Sequence, residues 1–355
     1  MSDQQNEHGP LPPRRSRSGR KAGKNKWLYW GLGALLAVVV IIIYYIYSIL
    51  SFANNIQEPG TPVTEENGQQ EEQVPVWEGT ERVNILLLGG DSRGLKANEI
   101  PRSDTIMIAS VDPVTKKAHL FSILRDTYVE IPGRGKDRIN AAIALGGPEL
   151  AMDTVSRLTG LKIQYYVYTD FQGFIALIDK LGGIDFEVEK RMKYTDSADD
   201  PQFNIDLQPG LQHMDGRTAL QYVRFRHDRL SDYSRTERQR KFLIALAGEL
   251  KKSTSLIRLP SLLRSVEPYI RTNIGLDDML KLARLGMEVD TANIPGIQLP
   301  PAELLREETI GGASVITVSS LDKLKAFVQE QFAEPEPEAE ETDGQESGSG
   351  ATGTN

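Results

Sequence analysis

The 355-residue chain carries 41 Lys and Arg against 49 Asp and Glu, a formal net charge of −8 that hides four unlike zones. Residues 1–26 hold seven bases and two acids, residues 53–79 six acids and no base, residues 80–332 equal numbers of both signs, and residues 333–355 seven acids alone. The acidity therefore belongs to the flanks and says nothing about what the middle binds, while the absence of cysteine excludes a disulfide, a thiolate metal site and a cysteine nucleophile.

Taken in chain order, residues 1–26 read as a disordered basic arm rich in Pro, Ser, Gly and Arg. No charge occurs from Trp27 to Gln57, and Leu28–Leu50 is almost wholly apolar, enough for a helix to cross a hydrocarbon layer of about 30 Å. Trp27, Tyr29 and Trp30 at one end and Tyr44, Tyr45 and Tyr47 near the other fit interfacial aromatic belts. The basic arm before this span and the acids after it predict a transmembrane helix over 27–52 in the cell membrane, with a cytoplasmic N-terminus and an extracytoplasmic remainder. Ser51-Phe-Ala53 offers small residues spaced for signal cleavage, but the apolar run exceeds the roughly 7–15 residues of a signal core, so an uncleaved anchor is expected. Residues 53–79, rich in Glu, Gln, Pro and Gly, read as an extended acidic stalk, and residues 333–355 as a disordered acidic tail.

Between stalk and tail, residues 80–332 alternate two patterns. Val83–Leu88, Thr105–Ser110, Ala118–Leu124, Tyr165–Thr169 and Ile184–Val188 read as strands of a sheet covered on both faces. Helical spacing intervenes at Pro148–Leu158, Phe171–Leu181, Gly216–Val223, Arg235–Leu250 and Leu276–Leu285. Late strands at Ile294–Leu299 and Ser314–Val318 and a closing helix at Leu321–Phe332 complete one α/β domain with helices on both faces.

The densest chemistry lies between Arg217 and Lys241, where eight bases face three acids. Forked, permanently charged guanidiniums gathered in this way suit a multivalent oxyanion such as phosphate or pyrophosphate. Ser234-Arg-Thr-Glu237 matches a capping box, which predicts a helix beginning near Arg235. On that helix Arg235, Arg238 and Gln239 share the side of Phe242, Leu246 and Leu250, whereas Arg240 and Lys241 point away. Arg224 and Arg226 diverge on a helix but point together in extended chain, so a shared site requires the preceding helix to unwind before them; as ordinary surface arginines they need no such break. Gly89-Gly-Asp-Ser-Arg-Gly94 follows the first apolar run and places Asp91 and Arg93 where α/β sheets collect ligands. Arg102-Ser-Asp-Thr105 precedes the next strand, so Asp91 and Asp104 fit a shared Mg²⁺, although an Asp in a Gly-rich turn is also a common turn former. Arg125 closes the third strand. His227 adjoins the cluster, where a structural hydrogen bond is the simpler role, and the four histidines show no metal-ligand spacing. A basic cluster outside the membrane argues against nucleic acid.

Together these features resemble the LytR-CpsA-Psr family of cell-wall assembly enzymes. The likeness rests on the basic start and single span, Gly-Gly-Asp-Ser-Arg, Arg-Ser-Asp-Thr, Ser-Ile-Leu-Arg-Asp, and Arg-Phe-Arg-His followed by Asp-Tyr-Ser-Arg-Thr-Glu-Arg-Gln. Leu181-Gly-Gly-Ile-Asp185 and Leu211–Leu220 add to it, over about residues 80–252; Leu124 stands where the family favours proline and Ser234 where it favours glycine. The resemblance implies a three-layer α-β-α sandwich with a hydrophobic tunnel for a lipid. It implies a Mg²⁺-dependent phosphotransferase that moves a glycopolymer, such as teichoic acid or capsule, from a polyprenyl-diphosphate carrier to peptidoglycan and leaves polyprenyl phosphate. Asp91 and Asp104 would hold Mg²⁺; Arg125, Arg224, Arg226, Arg235 and Gln239 would act catalytically with Asp104; and Arg93, Arg102, Arg138 and Arg238 would bind substrate. A non-catalytic sensor of lipid diphosphates and a pyrophosphatase that cleaves the carrier with water are the alternatives.

Overall fold

The computed structural model describes residues 26–57, 77–91, 101–195, 204–226 and 231–333, with side chains from residue 36 onward apart from Ser231. The basic arm before Lys26, most of the acidic stalk, Arg93, His227 and the tail after residue 333 lie outside the described residues. The chain divides into two units, Met1–Tyr47 and Ser48–Asn355. Helix α1 (Lys26–Ile56) begins in the first and ends in the second. Its stretch Leu36–Ile56 is long and apolar enough to cross a membrane.

The helix does not stop at residue 52, where the stalk was expected to start. Phe52, Ala53 and Ile56 are buried in the second unit, and Ile56 and Phe52 cluster with Val266. Burial of these apolar side chains keeps the chain helical for one more turn, so residues 53–56 belong to the folded body rather than to the stalk. Trp77, at the far end of the predicted stalk, is likewise buried and donates its indole N–H to the Glu81 carbonyl at 2.7 Å.

The second unit continues through β1 (Val83–Gly90), β2 (Ser103–Val111) and β3 (Ala118–Ile123), the hairpin β4 (Tyr128–Ile131) and β5 (Gly135–Arg138), α2 (Ala142–Thr159), β6 (Tyr165–Asp170) and α3 (Phe171–Leu181). Then come β7 (Ile184–Val188), β8 (Met192–Tyr194), β9 (Ile205–Leu207), β10 (Gly210–Met214), α4 (Gly216–Arg224), α5 (Ser231–Leu250), α6 (Ser253–Ile257) and α7 (Leu259–Val266). The chain closes with β11 (Ile270–Thr272), α8 (Leu276–Glu288), β12 (Gly296–Leu299), the hairpin β13 (Leu305–Ile310) and β14 (Ala313–Val318), and α9 (Leu321–Glu330).

A six-stranded sheet in the order β11-β6-β1-β2-β3-β12 forms the middle layer. β1 lies parallel to β6 and antiparallel to β2, and β3 is antiparallel to β2 and parallel to β12. The alternation of side chains sends Leu86, Leu88, Ile108, Phe121 and Tyr166 to one face, where α2 (Val155, Leu158) and α9 (Leu324, Val328) cover them. On the opposite face Val83 and Tyr165 pack with Leu285 of α8, and α3 and α5 roof the rest. Helices on both faces are the expected sandwich, and apolar runs without alternation in β3 follow from burial on both sides.

Two expectations change. Ile184–Val188 is a strand, but it pairs with β10 in a separate two-stranded antiparallel sheet rather than joining the central sheet. Its burial pattern alternates, as expected of a ribbon covered on one face only. Helix α5 starts at Ser231, four residues before the position the capping box indicated. Asp232 sits in the first turn, where a carboxylate suits the helix dipole, and pairs with Arg235 at i,i+3, 2.7 Å away.

Candidate active site

The antiparallel pairing of β1 and β2 and the parallel run of β1, β3 and β6 bring the end of β1, the start of β2, and the ends of β3 and β6 to one edge of the sheet. Asp91 follows β1, Asp104 opens β2, Arg125 follows β3 and Asp170 ends β6. All four line a cavity of about 700 Å³ between the sheet and the helices α3, α4 and α5.

Arg224 and Arg226 reach the same cavity because α4 ends between them. Arg224 is its last residue, and Phe225 takes φ −59°, ψ 130°, so the chain is extended from there. The unwinding that a shared site required therefore occurs one residue later than Val223. Two features set the position of this break. At Gly216 an added Cβ would collide with the Ile175 backbone, so only glycine lets α4 start against α3. At its other end, Arg238 Nη2 donates to the Phe225 carbonyl at 2.5 Å and Gln239 Nε2 to the Val223 carbonyl at 3.4 Å. These bonds satisfy carbonyls that the helix end leaves open.

Within the cavity, Arg125 binds Asp104 through Nη1, and Arg226 Nη2 stands 3.6 Å from the same oxygen. Asp232 is the residue that reading the sequence missed. Its Oδ1 lies 2.7 Å from Arg235, 3.9 Å from Arg226 and 4.0 Å from Arg125, so one carboxylate sits among three guanidiniums. The signal available was Asp-x-x-Arg at helical spacing. Burial, with Arg125 alongside, draws the Arg226 guanidinium below its ordinary value. Burial also pushes the Asp232 carboxyl upward against the pull of Arg226 and Arg125. Burial lowers Arg125 too, but Asp104, Asp126 and Asp232 outweigh it and raise that group. Arg235 is 2% exposed, and its Nε, the outer oxygen of Asp232 and the Gln239 carbonyl oxygen are buried without hydrogen-bond partners. The unpaired Nε of Arg235 is a donor that an anion in the cavity would satisfy, whereas the two unpaired oxygens are acceptors that call for a donor or a cation.

The other end of the cavity is apolar. Leu87, Met107 and Val167 of the sheet face Phe174, Leu177, Phe242, Leu246, Ala247 and Leu250, with Val266 and Ile270 completing the wall. From Arg235 to Leu250 α5 lines the cavity along its length, about 22 Å at 1.5 Å per residue. A charged mouth followed by a long apolar bore suits an amphiphile with an anionic head.

Four expected binding groups lie elsewhere or outside. Arg102 is exposed and is not among the lining residues. Arg138 turns to Asp126, 3.1 Å away, and steadies the carboxylate that lies 3.5 Å from Arg125. Arg238 is buried with Glu189 at 3.6 Å and the Phe225 ring at 5.3 Å, so it holds the end of α4 instead of facing the cavity. Arg93 lies outside the described residues. Arg240, expected to point to solvent, is buried and bonded to Ser122 Oγ of β3. It fits because Gly296 of β12 leaves room: a Cβ there would meet Arg240 Nε at 3.1 Å. Lys241 is exposed, as expected, and pairs with Glu237 at 2.6 Å.

For a divalent ion, no group of three or more His, Cys, Asp or Glu is assembled among the described residues. Asp91 and Asp104 do face the cavity together. Two carboxylates beside a phosphate-sized anion site fit Mg²⁺, which keeps several waters and takes its remaining oxygens from substrate.

Comparison with known proteins places this arrangement. The sequence profile of the LytR_cpsA_psr family matches residues 43–331. The "Regulatory protein MsrR" of Staphylococcus aureus is 36% identical over 196 residues, 54% of this chain and 57% of that protein. The "Polyisoprenyl-teichoic acid--peptidoglycan teichoic acid transferase TagU" of Enterococcus faecalis is 38% identical over 205 residues, covering 57% of this chain and 65% of that protein. The match thus spans somewhat under two thirds of these relatives. The solved structure "TagT bound to LI-WTA" superposes with a TM-score of 0.57 at 26% identity, over 73% of this chain and 93% of that one.

Proposed function

This chain belongs to the LytR-CpsA-Psr family, and from that premise we propose that it is a membrane-anchored phosphotransferase. It moves a cell-wall glycopolymer from a polyprenyl-diphosphate carrier to peptidoglycan on the outer side of the membrane. The observation that carries the reading is the cavity itself, with Arg125, Arg224, Arg226 and Arg235 at one end and, beyond them, about 12 Å of apolar wall along α5 from Phe242 to Leu250. The names of TagU and of the TagT complex support it, since each couples a wall polymer to this fold.

In this reading the lipid tail lies along α5 and the diphosphate meets the arginines. A hydroxyl of the acceptor attacks the glycan-side phosphorus; the new O–P bond forms as the bond to the bridging oxygen breaks, the hydroxyl proton passes to the departing phosphate or to water, and polyprenyl phosphate leaves. Phosphoryl transfer depends mainly on positioning and neutralisation of charge, and one arginine aimed at the reacting phosphate is worth roughly 10³–10⁵ in rate. Arg125, Arg226 and Arg235 are already gathered around Asp104 and Asp232, so little reorganisation is needed when phosphate oxygens arrive. Asp91 and Asp104 would hold Mg²⁺, which when bound neutralises charge on the diphosphate.

The test is turnover by the full chain in proteoliposomes with a lipid-diphosphate-linked glycan and a peptidoglycan acceptor. Transfer is expected, with Arg226→Ala slowed by roughly 10³-fold. Undiminished turnover in that variant would remove the arginine role. Glycan phosphate released into solution instead of joined to the acceptor would make the protein a hydrolase.

A further inference from the structure

The sheet edge opposite the charged mouth carries a surface that catalysis does not use. The turn joining β2 to β3 exposes Val114 (76%), and α6 exposes Ile257 (72%) and Leu256 (40%), with Met287 of α8 also exposed. These elements form one face. Lys116 beside Val114 reaches Glu288 at the end of α8, 2.7 Å away, and Lys251 at the end of α5 donates to the carbonyl of Val289.

Cations surround the apolar side chains. Lys117 follows Lys116, and Lys252 and Arg258 flank α6. The acids there are Asp112, which accepts from the Val114 amide and pairs with Arg82, Glu249, paired with Lys252, Glu288, shared by Lys116 and Arg284, and Asp290. Exposed aliphatic residues ringed by Lys and Arg are what an interfacial lipid-binding surface presents.

Two independent features point the same way. The chain arriving from the apolar part of α1 enters the second unit at Ser48, whose hydroxyl bonds the carbonyl of Pro260 at 3.4 Å, three residues beyond Ile257. The apolar end of the cavity also finishes here, because Leu250, the last residue of α5, lines it just before α6.

We propose that Val114, Leu256, Ile257 and Met287 with their surrounding lysines dock on the surface of the lipid bilayer. Docking sets the apolar end of the cavity against the membrane and holds the arginine end about 22 Å further out. It rests on the transferase reading for the nature of the cavity's occupant. A polyprenyl chain then passes from bilayer to cavity without crossing water, while its diphosphate is presented to the wall.

Because the chain has no cysteine, single labels are clean. Val114→Cys, Ile257→Cys and Ser314→Cys are each labelled with an environment-sensitive fluorophore in the full chain, reconstituted in nanodiscs of zwitterionic lipid with or without anionic lipid. Ser314 is the control: it is exposed on β14, whose Ile316 bonds the carbonyl of Asp126 at the charged end. Labels at 114 and 257 are expected to shift to the blue and escape quenching by aqueous iodide, more so with anionic lipid, while the label at 314 stays quenched. Equal quenching at all three sites, or equal protection at all three, overturns the proposal. Protection that persists in detergent and grows with protein concentration assigns the face to a second copy of the chain and also overturns it. Turnover is scored separately, so a docked protein without transferase activity refutes the reaction and leaves docking standing.

Discussion

Asp232→Asn should move stability and ligand affinity in opposite directions. The carboxylate stands 2.7 Å from Arg235, with Arg226 and Arg125 at 3.9 and 4.0 Å, and it is 19% exposed. Removing one partner of a buried ion pair costs about 3–5 kcal/mol, but burial already favours the neutral form of this carboxyl and offsets most of that, which places the loss at about 1 kcal/mol. Asparagine keeps Oδ1 as an acceptor for Arg235, so the arginines retain their geometry while the local negative charge is lost. A phosphate bound on the far side of those guanidiniums, taken at roughly 6 Å from Asp232, is repelled by about 3 kcal/mol at an effective dielectric constant near 20. Relief of that repulsion should tighten binding of a lipid diphosphate by about two orders of magnitude. The assay is thermal unfolding of the full chain with and without a short-chain polyprenyl diphosphate. The variant should melt lower alone and gain more from ligand than the parent does. A variant that melts lower and also binds more weakly would refute the idea that Asp232 balances charge the substrate later replaces.

Three further outcomes follow from the packing. Ala247→Phe projects a ring into open cavity, so unfolding should change little, while long-chain lipid diphosphate binds roughly 10–60-fold more weakly as room for two or three CH₂ groups is lost; unchanged affinity by calorimetry would remove the tail from this bore. Arg238→Met leaves the Phe225 carbonyl without its buried donor and should cost about 1–3 kcal/mol in chemical denaturation, Glu189 being exposed enough to stay hydrated, while Arg238→Lys recovers part of it. Asp112 gives the pH dependence. Burial raises its carboxyl, but hydrogen bonds from the Thr115 and Val114 amides and the Arg82 charge hold it below the usual range. The unfolded chain therefore binds the proton first as pH falls, so this contribution is complete above about pH 5 and drains away from about pH 4 down through the still lower native value. The stability gap between parent and Asp112→Asn should shrink across that interval, and a constant gap in denaturant titrations would refute it.

Much of the fold was legible because it rests on local pattern. The runs Val83–Leu88 and Ala118–Leu124 are buried on both faces, so they read as central strands without knowledge of their neighbours. The hairpin β4–β5, the pair β8–β9 and the strand β13 went unread, although β14 was expected as Ser314–Val318, since three to six residues with mostly exposed side chains carry little periodic signal. The end of α1 was misplaced for a different reason. Asn54, Asn55 and Gln57 look like the start of a polar stalk, and only the presence of Val266 makes Phe52 and Ile56 a buried stripe.

Composition and spacing alone determined the apolar segment, the α/β domain, and the gathering of guanidiniums with Asp91 and Asp104, because charge and hydrophobic period are properties of the chain itself. Which arginines face the cavity was decided by packing. A helical wheel knows one buried side, but α5 is enclosed on several: Arg235 and Gln239 line the cavity, Arg238 ties down the end of α4, and Arg240 lies against β3 and β12. Only tertiary contact could set Asp232 among three guanidiniums, since two of those partners, Arg125 and Arg226, come from other elements of the fold.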